Sequence, residues 1–448
     1  MTVSVMVFTR DLRLADNPAL AAAARAPAVV PLFVLDEAIL RRASGHANRL
    51  GFLLDSLRDL DSGLRNAGGA LVLRAGAWAE TVLATARAAG AGRIHIADDV
   101  SGYATSRLRQ LERVAAGARI EVLRHPGITV VEPAAVRGPA GGPYQVFTPY
   151  YRRWLAAARR PRVAAPARIT LPEGISAGRL PRLAELSAAP PAAAARGGES
   201  EGLARMRRWA AAQLAGYEHR RDDLAADATS RLSAYLHFGC LSPLALAAEM
   251  SARPGGAAFA RQLAWRDFFH QALAARPDAA RRDYRDRGDH WRDDPEALAV
   301  WQEGRTGYPV VDAAMRQLAG EGFLPNRARM IAASFLTNDL GVDWRAGAAH
   351  FMRHLLDADV ACNQLNWQWI AGTGTDTNRH RIFNPTRQGK RFDPAGGYIR
   401  RWVPELAGLP APDIHDPDPA TRRARGYPDP LVDHQQAIAA HRARRAGR

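Results

Sequence analysis

The sequence predicts an α/β domain with a doubly wound, Rossmann-like parallel sheet, followed by a larger all-α domain. Apolar runs alternate with helical stretches over residues 1–130, which is the rhythm of a parallel sheet with crossover helices. Residues 201–448 keep helical periodicity and show no strand alternation. Residues 131–200 are rich in proline and glycine and are predicted to form an interdomain linker. The aromatic and basic patch of this linker, at 150–154, favours docking onto a domain surface over nucleic-acid binding.

Five apolar runs predict the strands of the sheet. They lie at residues 3–8, 29–35, 70–73, 94–97 and 120–123. Asn17 followed by Pro18 pairs an N-cap residue with a proline at the first helical position, so a helix is expected from there to Ala26. A second helical pattern, over 46–64, stops before two consecutive glycines. No G-x-G-x-x-G follows the first strand, so the dinucleotide-binding fingerprint is absent there.

Composition and charge exclude several classes of protein. The 448 residues carry 61 Lys+Arg against 45 Asp+Glu, a formal net charge of +16. That excess favours a polyanionic partner, most often nucleic acid, although a generally basic soluble enzyme explains the charge equally well. Two cysteines, Cys240 and Cys362, exclude a disulfide scaffold and a thiolate-rich zinc site, so no metal is expected. Without a membrane-spanning run or a signal peptide, we expect a cytoplasmic protein.

Two predicted helices of the all-α domain each carry chemically capable side chains on one face. One helix is predicted over 259–274, and the other opens at Pro325. At spacings of three and four, the first helix has Gln262, Trp265 and Arg266, and the second has Asn326, Arg329 and Met330. A plain core would use leucine and alanine at these positions. The pattern therefore favours a binding site, with an interhelical hydrogen-bond network as the alternative.

The segment 356–391 has the highest density of such residues. Asp357 and Asp359 place negative charge in a predicted apolar helix, where each needs a partner such as Arg329 or a ligand. Trp367 and Trp369 follow on either side of Gln368. Basic residues then alternate with aromatic ones, namely Arg379, His380, Arg381, Phe383, Arg387, Lys390 and Arg391. This pattern suits phosphate contacts beside stacked bases, and a solvated basic loop is the alternative.

Six motifs, in order and over essentially the whole chain, resemble the DNA photolyase/cryptochrome family, and most closely its class I type photolyases of cyclobutane pyrimidine dimers. They are TRDLRLADNPAL near the start, TSRLSAYLHFG at 229–239, QLAWRDFF at 262–269, GRTGYPVVDAAMRQL at 304–318, NRARMIAASFL at 326–336 and the segment 356–393. The resemblance implies that FAD binds inside the helical domain and, when reduced and photo-excited, passes an electron to a dimer in UV-damaged DNA. It also implies that the dimer is flipped out of the duplex, as photolyases are known to do.

The resemblance also assigns a flavin cradle by position. It comprises Tyr217, Thr229, Ser230, Leu232, Ser233, Arg266, Asn326, Arg329, Asp357, Asp359 and Asn363. The hydroxyls at 229, 230 and 233 can cap a helix start and bind a diphosphate, and an Arg329–Asp357 pair can hold charge near the flavin ring. Asn363 matches the position beside the reducible flavin nitrogen. Photolyases typically have a neutral amide there, whereas plant cryptochromes are expected to have an acid.

Catalytic and DNA-contacting roles follow from the same resemblance. Trp367, Trp344 and Trp291 match the electron-transfer chain that photoreduces FAD, although large aromatic residues also fill helical cores. Gln262, Trp265, Asn326 and Met330 match the dimer pocket, and Arg221, Arg327 and Arg381 match DNA-contacting positions.

Gln262 departs from the family pattern and leaves alternatives open. Enzymes of cyclobutane dimers usually have Glu at this position, while (6-4) photolyases tend to have Gln. The (6-4) enzymes, however, have catalytic histidines where this chain has Asn326 and Met330, so cyclobutane repair is the first choice. The alternatives are a (6-4) photolyase and a cryptochrome-like photoreceptor. An extended C-terminal tail is typical of photoreceptors, and the short stretch after Trp402 is expected to count against that alternative.

An antenna chromophore, a deazaflavin or a folate, is also implied by the family. Phe33, Asp36, Arg49 and Asp99 fall near the positions of a deazaflavin site, but Ser101 does not match, and an empty site is the alternative. We expect a monomer whose partner is UV-damaged DNA and which does not bind membranes.

Overall fold

The computed structural model describes residues 3–43, 47–187, 195–375 and 382–446, without the side chains of residues 42, 43 and 444–446. The chain divides into two compact units. The first comprises Met1–Ala215 and Ser230–Pro277, and the second comprises Gly216–Thr229 and Asp278–Arg448. The chain therefore crosses from one unit to the other three times.

The first unit contains a five-stranded parallel sheet in the order β3-β2-β1-β4-β5. The strands are β1 (Val3–Val7), β2 (Ala28–Asp36), β3 (Val72–Gly76), β4 (Ala91–Ala97) and β5 (Glu121–His125). All five predicted strands are confirmed, but two begin later than predicted. The amide of Leu71 donates to the side chain of Asp61, and the amide of Ile120 donates to the carbonyl of Ala115 at the end of the preceding helix. Neither amide is therefore available for a hydrogen bond to a neighbouring strand.

The described residues up to 215 form eight helices beside this sheet. They are α1 (Pro18–Ala23), α2 (Glu37–Ala43), α3 (Ala47–Asn66), α4 (Trp78–Ala88), α5 (Gly102–Gly117), α6 (Phe147–Ala156), α7 (Leu183–Leu186) and α8 (Glu199–Gln213). The predicted N-cap is confirmed, since the side chain of Asn17 accepts from the amide of Leu20 at 3.1 Å. Helix α1 ends at Ala23, earlier than the predicted Ala26, because the amides of Arg25 and Ala26 turn back to carbonyls only three residues away.

The core of the sheet explains why these apolar runs become strands. Val5 lies between Val30 of β2 and Ile94 of β4, and all three are fully buried. Trp78 of α4 and Leu111 of α5 belong to the same core cluster. Each such aliphatic side chain contributes about 1.5–3 kcal/mol when it is removed from water.

Residues 216–277 contain one short helix of the second unit and three helices of the first. They are α9 (Tyr217–Arg220) in the second unit, and α10 (Ser233–His237), α11 (Pro243–Ser251) and α12 (Gly256–Ala275) in the first. Helix α12 is the helix predicted over 259–274. It begins earlier than predicted because Gly255 takes a left-handed φ of 77° that no bulkier residue favours.

The rest of the second unit is helical. Its helices are α13 (Pro295–Glu303), α14 (Pro309–Glu321), α15 (Asn326–Ser334), α16 (Trp344–His354), α17 (Val360–Ala371), α18 (Pro385–Phe392), α19 (Gly397–Trp402), α20 (Pro419–Arg425) and α21 (His434–Ala446). A π-helix, Phe335–Asp339, continues α15. Between residues 278 and 446, the described part of the chain has no strand ladder and only an isolated bridge from Arg292 to Val342, as predicted. None of the helices described is long and apolar enough to cross a membrane.

Candidate functional site

In the first unit, the predicted polar face of α12 is confirmed. Gln262, Trp265 and Arg266 are partly exposed, whereas the neighbouring Leu263, Ala264 and Asp267 are buried. This helix therefore packs its apolar stripe inward and leaves an amide, an indole and a guanidinium together on its accessible side.

Arg266 is held in place and still has donor capacity. Its Nη1 donates to the carbonyl of Ile128 at 2.6 Å, while its buried Nη2 has no hydrogen-bond partner among the described residues. The adjacent Asp267 accepts from the amides of Val130 and Val131, both at 3.0 Å, and from Trp154 Nε1 at 2.9 Å. A buried guanidinium N–H without a partner is costly, so it fits an anionic ligand such as a diphosphate.

The loop before α10 does not provide the predicted cap. The first helical residue is Ser233, and the N-cap is Leu232, which makes no side-chain cap hydrogen bond. Ser230 Oγ instead accepts from the amide of Leu232 at 3.3 Å within the loop. Arg231 adopts a left-handed φ of 53°, a strained conformation of the kind that clusters at functional sites.

In the second unit, the predicted face of α15 is also confirmed. Asn326 is exposed, Arg329 and Met330 are partly exposed, and the amide of Asn326 donates to the sulfur of Met330 at 3.3 Å. Arg329 donates through Nη2 to Asp357 Oδ2 at 2.8 Å and through Nε to the carbonyl of Leu324 at 2.9 Å. The predicted Arg329–Asp357 pair therefore forms.

The two aspartates before α17 are placed differently from the prediction. Neither lies inside the helix: Asp357 precedes it, and Asp359 is its N-cap, accepting from the amide of Cys362 at 2.8 Å. An N-cap carboxylate is stabilised by the unpaired amides of the first turn, so Asp359 has a partner without any ligand.

Asn363 of α17 is buried, and its amide is held in a defined orientation. Its Nδ2 donates to the carbonyl of Ala348 in α16 at 3.0 Å and to Gln364 Oε1 at 2.9 Å. Because both N–H bonds are used, the carbonyl Oδ1 is the group that Asn363 can offer to a ligand.

Two further predicted cradle residues belong to the second unit. Tyr217 is buried at the start of α9, and burial raises the pKa of its phenol to about 12, so it stays neutral. The hydroxyl of Thr229 is buried without a hydrogen-bond partner among the residues described. Like Arg266 Nη2, it is a polar group that a bound ligand would satisfy.

Trp367 lies one helical turn after Asn363 and contacts α16. A Cβ on Gly347 would lie only 2.3 Å from Trp367 Cη2, so the indole rests directly on the glycine of that helix. The ring also meets Trp301 and Phe351 edge-on, at centroid distances of 6.0 and 4.9 Å. Trp367 is 3% exposed.

The packing of Trp367 on α16 and one backbone bridge relate it to the other two predicted tryptophans. Trp344 begins α16, three residues before Gly347, is fully buried, and donates to Asp283 Oδ1 at 2.8 Å. Trp291 is partly exposed against the same core cluster, and the next residue, Arg292, forms the bridge to Val342. The three indoles thus belong to three neighbouring segments, which are α17, the start of α16 and the segment around the partly exposed Trp291.

The predicted DNA-contacting arginines differ in their surroundings. Arg221 is partly exposed at the end of α9, and the adjacent Asp222 accepts from Arg327 Nη2 at 2.8 Å. The Arg327 guanidinium also lies 4.2 Å from the ring centre of Phe392 at the end of α18. Arg327 is therefore already partly neutralised, and Arg381 lies outside the described residues.

The residues predicted to line an antenna site lie in the first unit. Phe33 and Asp36 belong to β2, Arg49 belongs to α3, and Asp99 follows β4. Asp36 accepts from the Tyr103 hydroxyl at 2.7 Å and pairs with Arg107 at 3.4 Å, while Asp99 pairs with Arg10 at 3.1 Å. The sequence reasoning missed Tyr103 and Arg107, although their spacing of four in α5 places a ring and a cation on one helix face.

A cavity of about 370 Å³ in the first unit includes Asp99 in its lining. Other lining residues are Asp98, Glu132, Arg137, His270 and Gln271. Burial raises the pKa of Glu132 to about 7, so this carboxyl group is partly protonated at neutral pH. The volume lies within the range typical of small-molecule sites.

Comparison with known proteins identifies the family. A DNA photolyase model matches residues 4–168, and a model of the FAD binding domain of DNA photolyase matches residues 259–446. The chain is 50% identical to a deoxyribodipyrimidine photo-lyase of Streptomyces griseus, over 98% of both chains, and 37% identical to that of Halobacterium salinarum, over 95% of both. The crystal structure of a bacterial class III photolyase from Agrobacterium tumefaciens covers 100% of this chain and 98% of its own, with a TM-score of 0.91 at 32% identity.

The chain is thus a flavoprotein with an α/β domain and a helical FAD-binding domain, as predicted from its motifs. It belongs to the DNA photolyase/cryptochrome family. The enzyme class predicted from the sequence, deoxyribodipyrimidine photo-lyase, is also the class of both relatives.

Proposed function

We propose that the chain is a deoxyribodipyrimidine photo-lyase that uses light to split cyclobutane pyrimidine dimers in UV-damaged DNA. The near full-length identity of 50% to the Streptomyces griseus enzyme supports the reaction class. The observation that carries the choice of lesion is the exposed Asn326–Met330 pair, whose amide donates to the thioether at 3.3 Å. Neither side chain titrates near neutral pH, so this face lacks the acid that a (6-4) reaction needs, whereas ring opening by electron transfer needs none.

The residues present fit FAD as the cofactor. The Arg266 Nη2 donor and the Thr229 hydroxyl are buried polar groups without partners in the described residues, and both suit diphosphate oxygens. Reduced FAD, when bound and excited by light, supplies the electron that opens the cyclobutane ring. The other members of the proposed cradle are Tyr217, Ser230, Leu232, Ser233, Asn326, Arg329, Asp357, Asp359 and Asn363.

Three polar members of the cradle, Arg329, Asp357 and Asn363, have defined tasks. Arg329 brings positive charge that Asp357 compensates at 2.8 Å, so the pair can stay charged beside a bound ring. Asn363 offers its carbonyl oxygen as an acceptor and adds no titrating group. A fixed neutral acceptor stabilises an N–H of a reduced ligand without supplying protons to it.

We propose that electrons pass along three tryptophans, from the partly exposed Trp291 through Trp344 to the buried Trp367 on α17. The solvent exposure of the three indoles supports this role. Trp367 and Trp344 are buried, whereas Trp291 is partly exposed. The Asp283 carboxylate beside Trp344 Nε1 favours a positive charge on that indole.

The lesion and the DNA backbone are proposed to meet different residues. Gln262, Trp265, Asn326 and Met330 would contact the flipped dimer through amides, an indole face and a thioether. Arg221, Arg327 and Arg381 would contact phosphates, and the pairing of Arg327 with Asp222 predicts a weaker contribution from Arg327 than from Arg221.

An antenna chromophore is a secondary proposal. The cavity beside Asp99 supports it by offering room and polar groups, although the carboxylates of Asp36 and Asp99 are already engaged by Arg107 and Arg10. Mass spectrometry of chromophores extracted from the purified protein tests it. A deazaflavin or a folate in equimolar amount would support the proposal, and FAD alone would contradict it.

Repair of (6-4) products is the second candidate, favoured by Gln262. Illumination of the purified, reduced protein with two oligonucleotides, one containing a cyclobutane dimer and the other a (6-4) product, tests both. We expect restoration of the cyclobutane dimer alone. Restoration of only the (6-4) product would overturn the choice of lesion, and restoration of neither would leave a photoreceptor as the function.

A further inference from the structure

The first unit contains a ladder of four aromatic rings, of which the proposed chemistry uses only Trp265. Trp265 of α12 stacks on Phe147 of α6 with ring centres 3.7 Å apart and planes 7° apart. Phe147 is followed by Tyr151 at 5.6 Å and 15°, and Tyr151 by Trp154 at 6.1 Å and 26°. Four rings thus lie nearly parallel, and the first of them is the indole assigned to the dimer pocket.

The two sides of α6 serve different purposes. Tyr150 and Trp154 are buried, and Trp154 donates to Asp267 of α12, so this side docks onto the first unit as the sequence predicts. On the other side, Tyr151 is partly exposed, and Arg152 and Arg153 are exposed. The 150–154 motif therefore docks through one side and presents a ring and two cations to solvent through the other.

A third cation joins this outer side from α12. Arg261 is exposed, and its guanidinium carbon lies 5.6 Å from the centre of the Phe147 ring and 5.5 Å from that of Tyr151. Within the described part of the chain, no carboxylate forms an ion pair with Arg152, Arg153 or Arg261. Uncompensated arginines beside the partly exposed ring of Tyr151 attract a polyanion whose bases can stack.

We infer that Tyr151, Arg152 and Arg261 form a strand-binding surface for the DNA that flanks the lesion, with Phe147 joining this surface to Trp265. The arginines contact phosphates, and Tyr151 contacts an unstacked base or sugar. This inference rests on the proposed function, because Trp265 gives the surface its DNA partner. Contacts of this kind are independent of base sequence and sensitive to salt.

The test compares the double variant Arg152→Ala/Arg261→Ala with Arg87→Ala, which removes an exposed arginine from α4. Dissociation constants for a dimer-containing oligonucleotide and an undamaged one are measured at salt concentrations between about 50 and 200 mM. We expect at least roughly tenfold weaker binding of both oligonucleotides by the double variant. The salt slope should also be shallower by about 0.7–0.9 for each phosphate that the variant no longer neutralises. Arg87→Ala should bind as the wild type does.

Two further variants separate charge from ring stacking and guard against misfolding. Arg261→Lys keeps the charge, so its salt slope should match the wild type, while Tyr151→Ala should weaken binding about tenfold without changing the slope. An unchanged affinity and slope in the double variant, with flavin absorbance intact, would overturn the inference. Failure of the proposed function looks different, because the wild type itself would then repair neither lesion.

Discussion

Asn363 and Trp367 occupy one face of α17, a single turn apart, and both contact α16. The amide of Asn363 donates to Ala348, and the indole of Trp367 lies over Gly347. One side chain thus offers a neutral acceptor and the other an aromatic ring on the same face of the helix. At the residue scale, this pair links the proposed cofactor environment to the proposed electron path.

Replacing Trp367 by Phe should separate photoreduction from repair. Phenylalanine keeps most of the packing but is much harder to oxidise, so photoreduction of the bound flavin should slow at least tenfold. Repair by chemically reduced enzyme should stay near the wild-type level. Flash absorption and a repair assay check the two rates, with Trp402→Phe as the control. Loss of both activities together would contradict a separate electron path.

Replacing Asn363 by Asp should make stability depend on pH. The new carboxylate would face the Ala348 carbonyl at the present 3.0 Å, so burial and repulsion would raise its pKa. A raised pKa means that the protonated form is favoured in the folded state, and stability is lost as pH rises above the unfolded value. Thermal unfolding should therefore show a deficit of about 1–3 kcal/mol at pH 8 and a much smaller one near pH 4. Equal deficits at both pH values would show that the pKa of the new carboxyl group is not raised in the folded state.

At the scale of elements, the contact between α16 and α17 depends on a missing side chain. Glycine normally weakens a helix by about 1 kcal/mol relative to alanine, so its presence at 347 within α16 has a steric reason. An added Cβ would lie 2.3 Å from Trp367 and 2.5 Å from Leu336. The close approach of the two helices, and with it the position of Trp367, requires this glycine.

Gly347→Ala should lower the free energy of unfolding by about 1–3 kcal/mol through overpacking and should also slow flavin photoreduction. Gly117→Ala is the matched control, since Gly117 ends α5 and an added Cβ meets nothing within 4 Å. Denaturant unfolding and flash absorption measure the two effects. A stabilised Gly347→Ala variant with normal photoreduction would contradict the packing described here.

Helix α21 is fastened to the π-helix by a hydrogen bond between His434 and the buried carboxyl group of Asp339. Asp339 accepts from His434 Nδ1 at 2.5 Å, and burial raises the pKa of Asp339 to about 6. Because the folded state binds this proton more tightly than the unfolded state, the contribution of Asp339 to stability falls as pH rises from about 4 to 6. Asp339→Asn should flatten this part of the stability curve, as measured by unfolding at several pH values. An identical pH dependence in the variant would show that Asp339 does not titrate in this range.

Elements and faces were predictable where the sequence pattern is periodic. The five strands and the faces of α12 and α15 follow from apolar spacing, because burial alone decides them. The placement of Asp357 and Asp359 before α17 could not be predicted from the sequence. An acidic pair of this kind can stand either at a helix N-cap or inside a helix, and the apolar spacing does not distinguish the two. The contacts of Trp367 with Gly347, and of Asp36 with Tyr103, join distant parts of the chain that no local pattern relates.

At the scale of the whole molecule, the charge of +16 is divided between surfaces in both units. The second unit has exposed Arg387, Lys390 and Arg391 on α18, near the ring of Phe392 that Arg327 covers. The first unit has exposed Arg152 and Arg261 around Tyr151. The predicted domain boundaries at residues 130 and 200 stay a prediction. Each compact unit is built from two separate stretches of the sequence, so the units do not test boundaries of this kind.

The most direct test of the proposed function is light-dependent repair by the wild-type protein with its own bound flavin. The protein is reduced, mixed with an oligonucleotide containing one cyclobutane thymine dimer, and divided between light and darkness. We predict that the dimer is converted to two thymines in the light, with many turnovers per flavin, and that no conversion occurs in the dark. A flavin-loaded protein that binds the oligonucleotide but leaves the dimer intact in the light would contradict the central claim.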